Sequence, residues 1–238
     1  MRVKKILKDN KHRPWSLPNK KWSFYQEWNN AIFLHWEVEL KELSRFVPNN
    51  LQIDLHNGKP WVSVVAFTME KIRPRNLPYF SPVSNFHEIN IRTYVKSNNK
   101  TGVYFLSIEA EKLISCKIAR KISKLPYRYS KINRSNNSFS SFNPVFKDSL
   151  HIDYSSKELK NNFTPLDIFL TERYALFHNV GDYINEFEIH HLPWPIQNID
   201  LFKLEVNYSR FTQLIGDMPD KTHFSNGVKV ISWNSNKY

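Results

Sequence analysis

Hydrophobic and polar residues alternate along much of this chain, and the period lengthens in only two places. In "SNFHEINIRTYV" (residues 84–95), Ile89, Ile91, Thr93 and Val95 share one side, while Glu88, Asn90, Arg92 and Tyr94 share the other. Such a split is what an extended strand produces, because its successive side chains point to opposite faces. "TGVYFLSIEA" (101–110) continues the alternation. A four-residue connection at 97–100 predicts a hairpin in which Lys96 faces Thr101, Asn90 faces Ser107 and Glu88 faces Glu109. One face then collects Glu88, Asn90, Arg92, Tyr94, Val103, Phe105, Ser107 and Glu109. Such a polar row is either a solvated surface or the wall of a cavity.

Strands are also predicted in "AIFLHWEVEL", "WVSVVAFTMEKI", "VFKDSLHIDYSS", "DYINEFEIHHLPW", "FKLEVNYSRF" and "THFSNGVKVISW". Asn57-Gly58 marks a hairpin turn, and "NRSNNSFSSFNP" reads as a polar loop. A helical period shows in "EKLISCKIARKI", where Ile114, Ile118 and Ile122 form a stripe. It shows again in "TPLDIFLTERYALF", with Thr164 as cap, Pro165 in the first position and Asp167 in the first turn. Leu166, Phe169, Leu170, Tyr174 and Phe177 would share one face of that helix. Many strands and few helices predict a mainly β fold, one antiparallel barrel or sandwich spanning residues 1–238.

Composition narrows the classes. Hydrophobic residues make up 41% of the 238, so the chain folds around a core. No run reaches the roughly 18 apolar residues of a membrane-spanning helix. The basic start lacks the apolar stretch of a secretory signal, and Cys116 is the only cysteine, so a reducing cytoplasm is expected. The net charge of +12 concentrates in residues 1–21 (+7) and 112–134 (+8), two segments that could meet a polyanion such as nucleic acid. No nucleic-acid motif accompanies them. Five isolated glycines give no phosphate-cradling loop, no cofactor motif stands out, and no spacing suggests a metal site. His35 reads as a satisfied structural histidine, and Cys116 as a small core residue.

Taken together, "RPW", "FLHW", "WVSVVAF", "SNFHEINIRTYV", "GVYFLSIEA", "AR…LPY", "DIFLTERY" and "HHLPWP" resemble, in order, the YqjF-like family of the acetoacetate-decarboxylase-like superfamily. The resemblance implies a closed antiparallel β-barrel with an internal cavity and a few flanking helices. It implies that Glu88 lies inside that barrel, as a comparable glutamate does in acetoacetate decarboxylases. Those enzymes carry adjacent lysines after a proline, one of which forms a Schiff base. Here Tyr127-Arg128 follow Pro126, and neither supplies an amine nucleophile.

The expected function is therefore binding of a small anionic or carbonyl-bearing molecule. Asn90, Arg92, Tyr94, Arg120 and Arg128 are the candidate ligand contacts, and Glu88 and Tyr127 a candidate acid–base pair. Two alternatives stand beside it: a lysine-independent lyase, hydratase or isomerase using Glu88 and Tyr127, and a polyanion-binding module.

Overall fold

The computed structural model describes residues 3–237. Met1 and Arg2, the start of the first basic segment, lie outside the described residues, as does Tyr238. Strands run in chain order as β1 (Phe24–Glu37), β2 (Gln52–Ile53), β3 (Trp61–Pro74), β4 (Phe86–Ser97) and β5 (Lys100–Ala110). Next come β6 (Arg128–Tyr129), β7 (Lys131–Arg134), β8 (Ser138–Phe142), β9 (Ser149–Leu159) and β10 (Ala175–Val180). The last are β11 (Tyr183–His190), β12 (Ile196–Asn207), β13 (Lys221–Ser232) and β14 (Asn236–Lys237). Five short helices flank them: α1 (Val3–Lys8), α2 (Leu40–Ser44), α3 (Ser81–Ser84), α4 (Leu113–Ser123) and α5 (Pro165–Thr171). No described helix is long and apolar enough to cross a membrane.

All the strands belong to one sheet. Its path β13–β1–β3–β4–β5–β10–β11 returns to β13 through Ile189↔Ser232 and His190↔Ile231, which makes a ring of strands. The pairing is antiparallel except where β5 meets β6 and β10, so the all-antiparallel expectation needs that correction. Both faces of the β4 region are buried. Ile89, Ile91 and Val95 pack with Leu34, Val64, Phe139, Leu150 and Ile152. The opposite side, at Phe86, holds Ala31, Phe33, Val65, Phe67, Cys116 and Trp194.

The β4–β5 hairpin departs from the predicted register at one residue. Lys96 does face Thr101, and Asn98 and Asn99 take positive φ in a two-residue turn tighter than the predicted loop. Further on, Arg92 faces Phe105 while Ile91 faces Ser107, so Leu106 has no opposite number. This bulge moves every later β5 residue to the other face. Glu88 therefore faces Ala110, Asn90 faces Ile108, and Ser107 and Glu109 join the side of Ile89 and Ile91.

Other segments are corrected as well. The stretch read as a polar loop pairs as β7 with β8. Helix α5 ends at Thr171, so Tyr174 precedes and Phe177 lies within β10 rather than on a helical face. Helix α4 forms as predicted, but it packs through small residues: Ser115 and Cys116 are buried, and Ser115 Oγ donates to Val83 O at 3.0 Å. The stripe of Ile114, Ile118 and Ile122 faces outward.

Candidate functional site

The row Glu88, Asn90, Arg92 and Tyr94 is buried along its whole length, each residue at most 8% exposed. Two-residue periodicity puts all four on one face, and β3 and β5 pair along the two edges of the strand. Glu88 lies between Phe67 and Ala110, Asn90 between Val65 and Ile108, and Arg92 between Ser63 and Phe105.

At the Glu88 end, Tyr127 Oη donates to Glu88 Oε2 at 3.0 Å. The turn after Pro126 delivers that tyrosine, because β6 pairs in parallel with the end of β5. Burial pushes the Glu88 pKa up to about 8, against the opposing hydrogen bonds from Tyr127 and Asn90. Burial, followed by the charge of Glu88, holds the Tyr127 phenol well above its usual value. The Cys116 thiol, also raised by burial, to about 11, is weakly bonded to the carbonyls of Ala110 and Arg128. Both shifts favour the protonated forms, a carboxylic acid beside a phenol.

At the other end, Arg92 Nη2 donates to Leu170 O at 3.1 Å, and its guanidinium lies over the rings of Phe33 and Tyr94. Arg92 Nε has no hydrogen-bond partner, nor has Asn90 Oδ1. Unpaired buried polar atoms are costly, about 1–3 kcal/mol each, so each calls for an explanation. Tyr94 Oη contacts Ser63 Oγ at 2.6 Å and Leu170 O at 2.8 Å. Ser63 leads on to His35, His223 and Asp167, none of which stood out in the sequence as functional. No spacing along one strand connects them. Only the register across β1, β3 and β13 does, together with the cap of α5.

The remaining candidates lie apart from this row. Arg120 is exposed on α4. Arg128 donates to Glu109 Oε1 at 3.1 Å and to Ser107, on the face opened by the bulge. Ser130 and Asn143 also donate to Glu109, so that cluster is closed on itself. Arg134 donates to Tyr154 Oη, so the basic segment 112–134 does not present all its cations to solvent. Among the described residues no lysine is buried, and Lys124 and Lys131 are exposed. Two surface concavities, of about 710 and 350 Å³, are lined by other residues, including Trp22 and Trp233 in the first and Lys96 to Thr101 in the second.

Residues 25–229 match the DUF2071 family, described as an uncharacterized conserved protein. The chain belongs to this family. A curated relative of this DUF2071 chain, "Uncharacterized protein YqjF" of Bacillus subtilis (strain 168), is 30% identical over 245 residues, covering 94% of this chain and 96% of the relative. Among solved structures, acetoacetate decarboxylase from Legionella pneumophila superposes with a TM-score of 0.61 at 12% identity, covering 98% of this chain and 95% of that one. An acetoacetate decarboxylase-like enzyme from Sphingomonas wittichii RW1 gives 0.59 at 12%, covering 94% and 96%. The enduracididine biosynthesis enzyme MppR, complexed with a condensation product of pyruvate, gives 0.55 at 12%, with 94% of each chain covered. At these identities the likeness is one of fold.

Proposed function

We propose that the ring of strands is a barrel enclosing a site for a small molecule that carries a carboxylate next to a carbonyl, such as a short 2-oxo acid. The observation that carries this reading is the pair of buried, partnerless polar atoms, Arg92 Nε and Asn90 Oδ1, in the row that ends in an uncharged Glu88. A free guanidinium N–H is a donor for a carboxylate. Asn90 Oδ1 accepts, and protonated Glu88 with Tyr127 supplies hydrogen to a carbonyl oxygen. Apolar walls with a few convergent polar groups are the usual make-up of such sites. The pyruvate complex of MppR, a protein of similar fold, suggests the first probe. With Tyr127-Arg128 after Pro126 and no buried lysine among the described residues, the reading does not run through an imine.

Pyruvate should raise the melting temperature of the native protein by the linkage of binding to stability. Arg92→Met should abolish the shift while leaving a folded protein. If pyruvate and longer 2-oxo acids leave the melting temperature unchanged, or the variant responds like the native chain, the reading fails.

The Glu88–Tyr127 hydrogen bond favours a second reading, in which the bound molecule also reacts. An acid whose pKa lies near the working pH is suited to proton transfer. Lysine-independent lyase, hydratase or isomerase chemistry would show as Glu88-dependent turnover.

A further inference from the structure

Five buried side chains form an unbroken line that starts beside Arg92. Tyr94 Oη lies 2.6 Å from Ser63 Oγ, and Ser63 Oγ 2.6 Å from His35 Nδ1. His35 Nε2 lies 3.0 Å from His223 Nδ1, and His223 Nε2 2.7 Å from Asp167 Oδ1. Tyr94, Ser63, His35, His223 and Asp167 are all fully inaccessible to solvent. Strand register assembles the line: His35 on β1 faces Ser63 on β3, and Ser63 faces Arg92 on β4. His223 on β13 faces Phe33, two residues from His35 and on the same face of β1. The capping box of α5 fixes Asp167, whose Oδ2 accepts from Thr164 N at 2.9 Å.

The direction of these bonds follows from what each atom can donate. Burial opposes charge on Asp167, but hydrogen bonds from Lys160, the Thr164 backbone and His223 outweigh it and hold the carboxyl far below the usual range. Asp167 therefore only accepts, and His223 Nε2–H donates to it. Burial is the main cause that keeps both imidazoles neutral, lowering His223 to about 4, and for His35 the charges of His223, Arg92 and Lys221 add to it. A neutral imidazole has one N–H and one acceptor nitrogen. His35 Nε2–H then donates to His223 Nδ1 and the Ser63 hydroxyl to His35 Nδ1. The Tyr94 hydroxyl has two acceptors in reach, the Leu170 carbonyl at 2.8 Å and Ser63 Oγ at 2.6 Å, and when it turns to Ser63 every hydrogen in the line points toward Asp167.

We infer that this line is a proton relay serving the Arg92 end of the site, an inference that rests on the small-molecule reading above. When a C–H bond next to the carbonyl of a ligand breaks, the electron pair stays on the ligand as an enolate and the proton passes to Tyr94 Oη. The hydrogen of Tyr94 moves to Ser63 Oγ, that of Ser63 to His35 Nδ1, and that of His35 Nε2 to His223 Nδ1. One proton leaves the ligand and one positive charge arrives on His223, against the Asp167 carboxylate. Reversal returns the proton. The charges around the line suit that direction. Arg92 and Arg173 lie over the Tyr94 ring, with Arg173 paired to Asp54, so the Tyr94 end disfavours a new positive charge. Asp167 offers a counter-charge at the far end, where Lys160 and Lys221 reach it from partly exposed positions.

Histidine ¹⁵N NMR tests the relay without any ligand. At pH 7 both rings should be neutral Nε2–H tautomers. On acidification His223 should become the imidazolium, and in the same step His35 should swap from Nε2–H to Nδ1–H without gaining charge. A ring that is Nδ1-protonated at pH 7, or a His35 that stays Nε2–H while His223 charges, overturns the relay. Service to the site is tested with pyruvate in D₂O, by the rate of deuterium entry into its methyl group. Ser63→Ala should slow that exchange at least tenfold while pyruvate still raises the melting temperature, and Tyr94→Phe should slow it at least as much. Native exchange rates in both variants would overturn the inference. Failure of pyruvate to bind the native protein would instead remove the ligand reading, and the tautomers would still decide whether the line is a relay.

Discussion

The Tyr127 hydroxyl and the Glu88 carboxyl form a 3.0 Å hydrogen bond on a face where no ion pair to Glu88 exists among the described residues. A lone carboxyl in such a place keeps its proton, and its pKa rises to about 8 because the charged form is desolvated. This couples folding to pH. Between about 4.5 and 8 the native chain binds a proton at Glu88 that the unfolded chain has released. The stability present below pH 4.5 is therefore lost progressively as pH rises through that window, at about 1.4 kcal/mol per unit. Glu88→Gln keeps the acceptor oxygen and removes the titration. Urea unfolding at pH 5 and pH 8 should show a smaller fall for this variant than for the native chain. An equal fall in both would place the titration elsewhere.

Tyr127 lowers the Glu88 pKa by its hydrogen bond, in opposition to burial. Tyr127→Phe should therefore push the Glu88 pKa higher still. Carboxyl ¹³C NMR of Glu88 across pH 5 to 10 would follow this directly. A downward shift would mean that water replaces the hydroxyl, and that the end of the row is open to solvent.

The two-residue period of residues 86–97 was enough to place Glu88, Asn90, Arg92 and Tyr94 together, because a strand has only two faces. It was not enough to place Ser107 and Glu109, since nothing in "TGVYFLSIEA" marks Leu106 as the unpaired residue. In α4 the period marks the helix but not the face that packs. The large residues of the stripe point outward, and the small Ser115 and Cys116 fit against the neighbouring chain. "NRSNNSFSSFNP" resembles a loop because two-thirds of its residues are Ser or Asn, yet Phe139, with Ile132 just before the stretch, points inward and pins β7 and β8 to the core. His35, Ser63, His223 and Asp167 come from four separate elements. Only the assembled sheet shows that they touch.

The bulge at Leu106 gives a test of its own. It sends Glu109 to Arg128, Ser130 and Asn143, and leaves Ala110 beside Glu88. Deleting Leu106 would join Phe105 to Ser107 and remove the bulge, leaving Ser107 opposite Ile91 and Glu109 opposite Ile89 as they are. Arg128 would keep Glu109 as its main partner. The deletion variant should stay folded by circular dichroism, at the cost of the buried Leu106 side chain, about 2–5 kcal/mol, whereas Leu106→Val, which keeps the extra residue, should cost about 1 kcal/mol.

Two arginines near Tyr94 should behave in opposite ways. Arg173 is buried and donates to Asp54 Oδ2 at 2.6 Å and to Phe169 O at 2.7 Å, and Asp54 is held also by Lys96. Removing one partner of a buried ion pair leaves an uncompensated charge, at a cost of about 3–5 kcal/mol. Arg92 is equally buried, yet it has one carbonyl partner, no ion pair among the described residues, and an idle Nε. In the ligand-free protein, replacing it with an apolar side chain of similar length removes a desolvated cation along with a single hydrogen bond. Arg173→Met should therefore lower the unfolding free energy by several kcal/mol, on the order of the 3–5 expected for a broken buried pair. Arg92→Met should change it by about 1 kcal/mol or less in either direction. Chemical denaturation of both variants without added ligand reads the difference. A large loss in Arg92→Met would make Arg92 part of the scaffold and not a group held ready for a ligand.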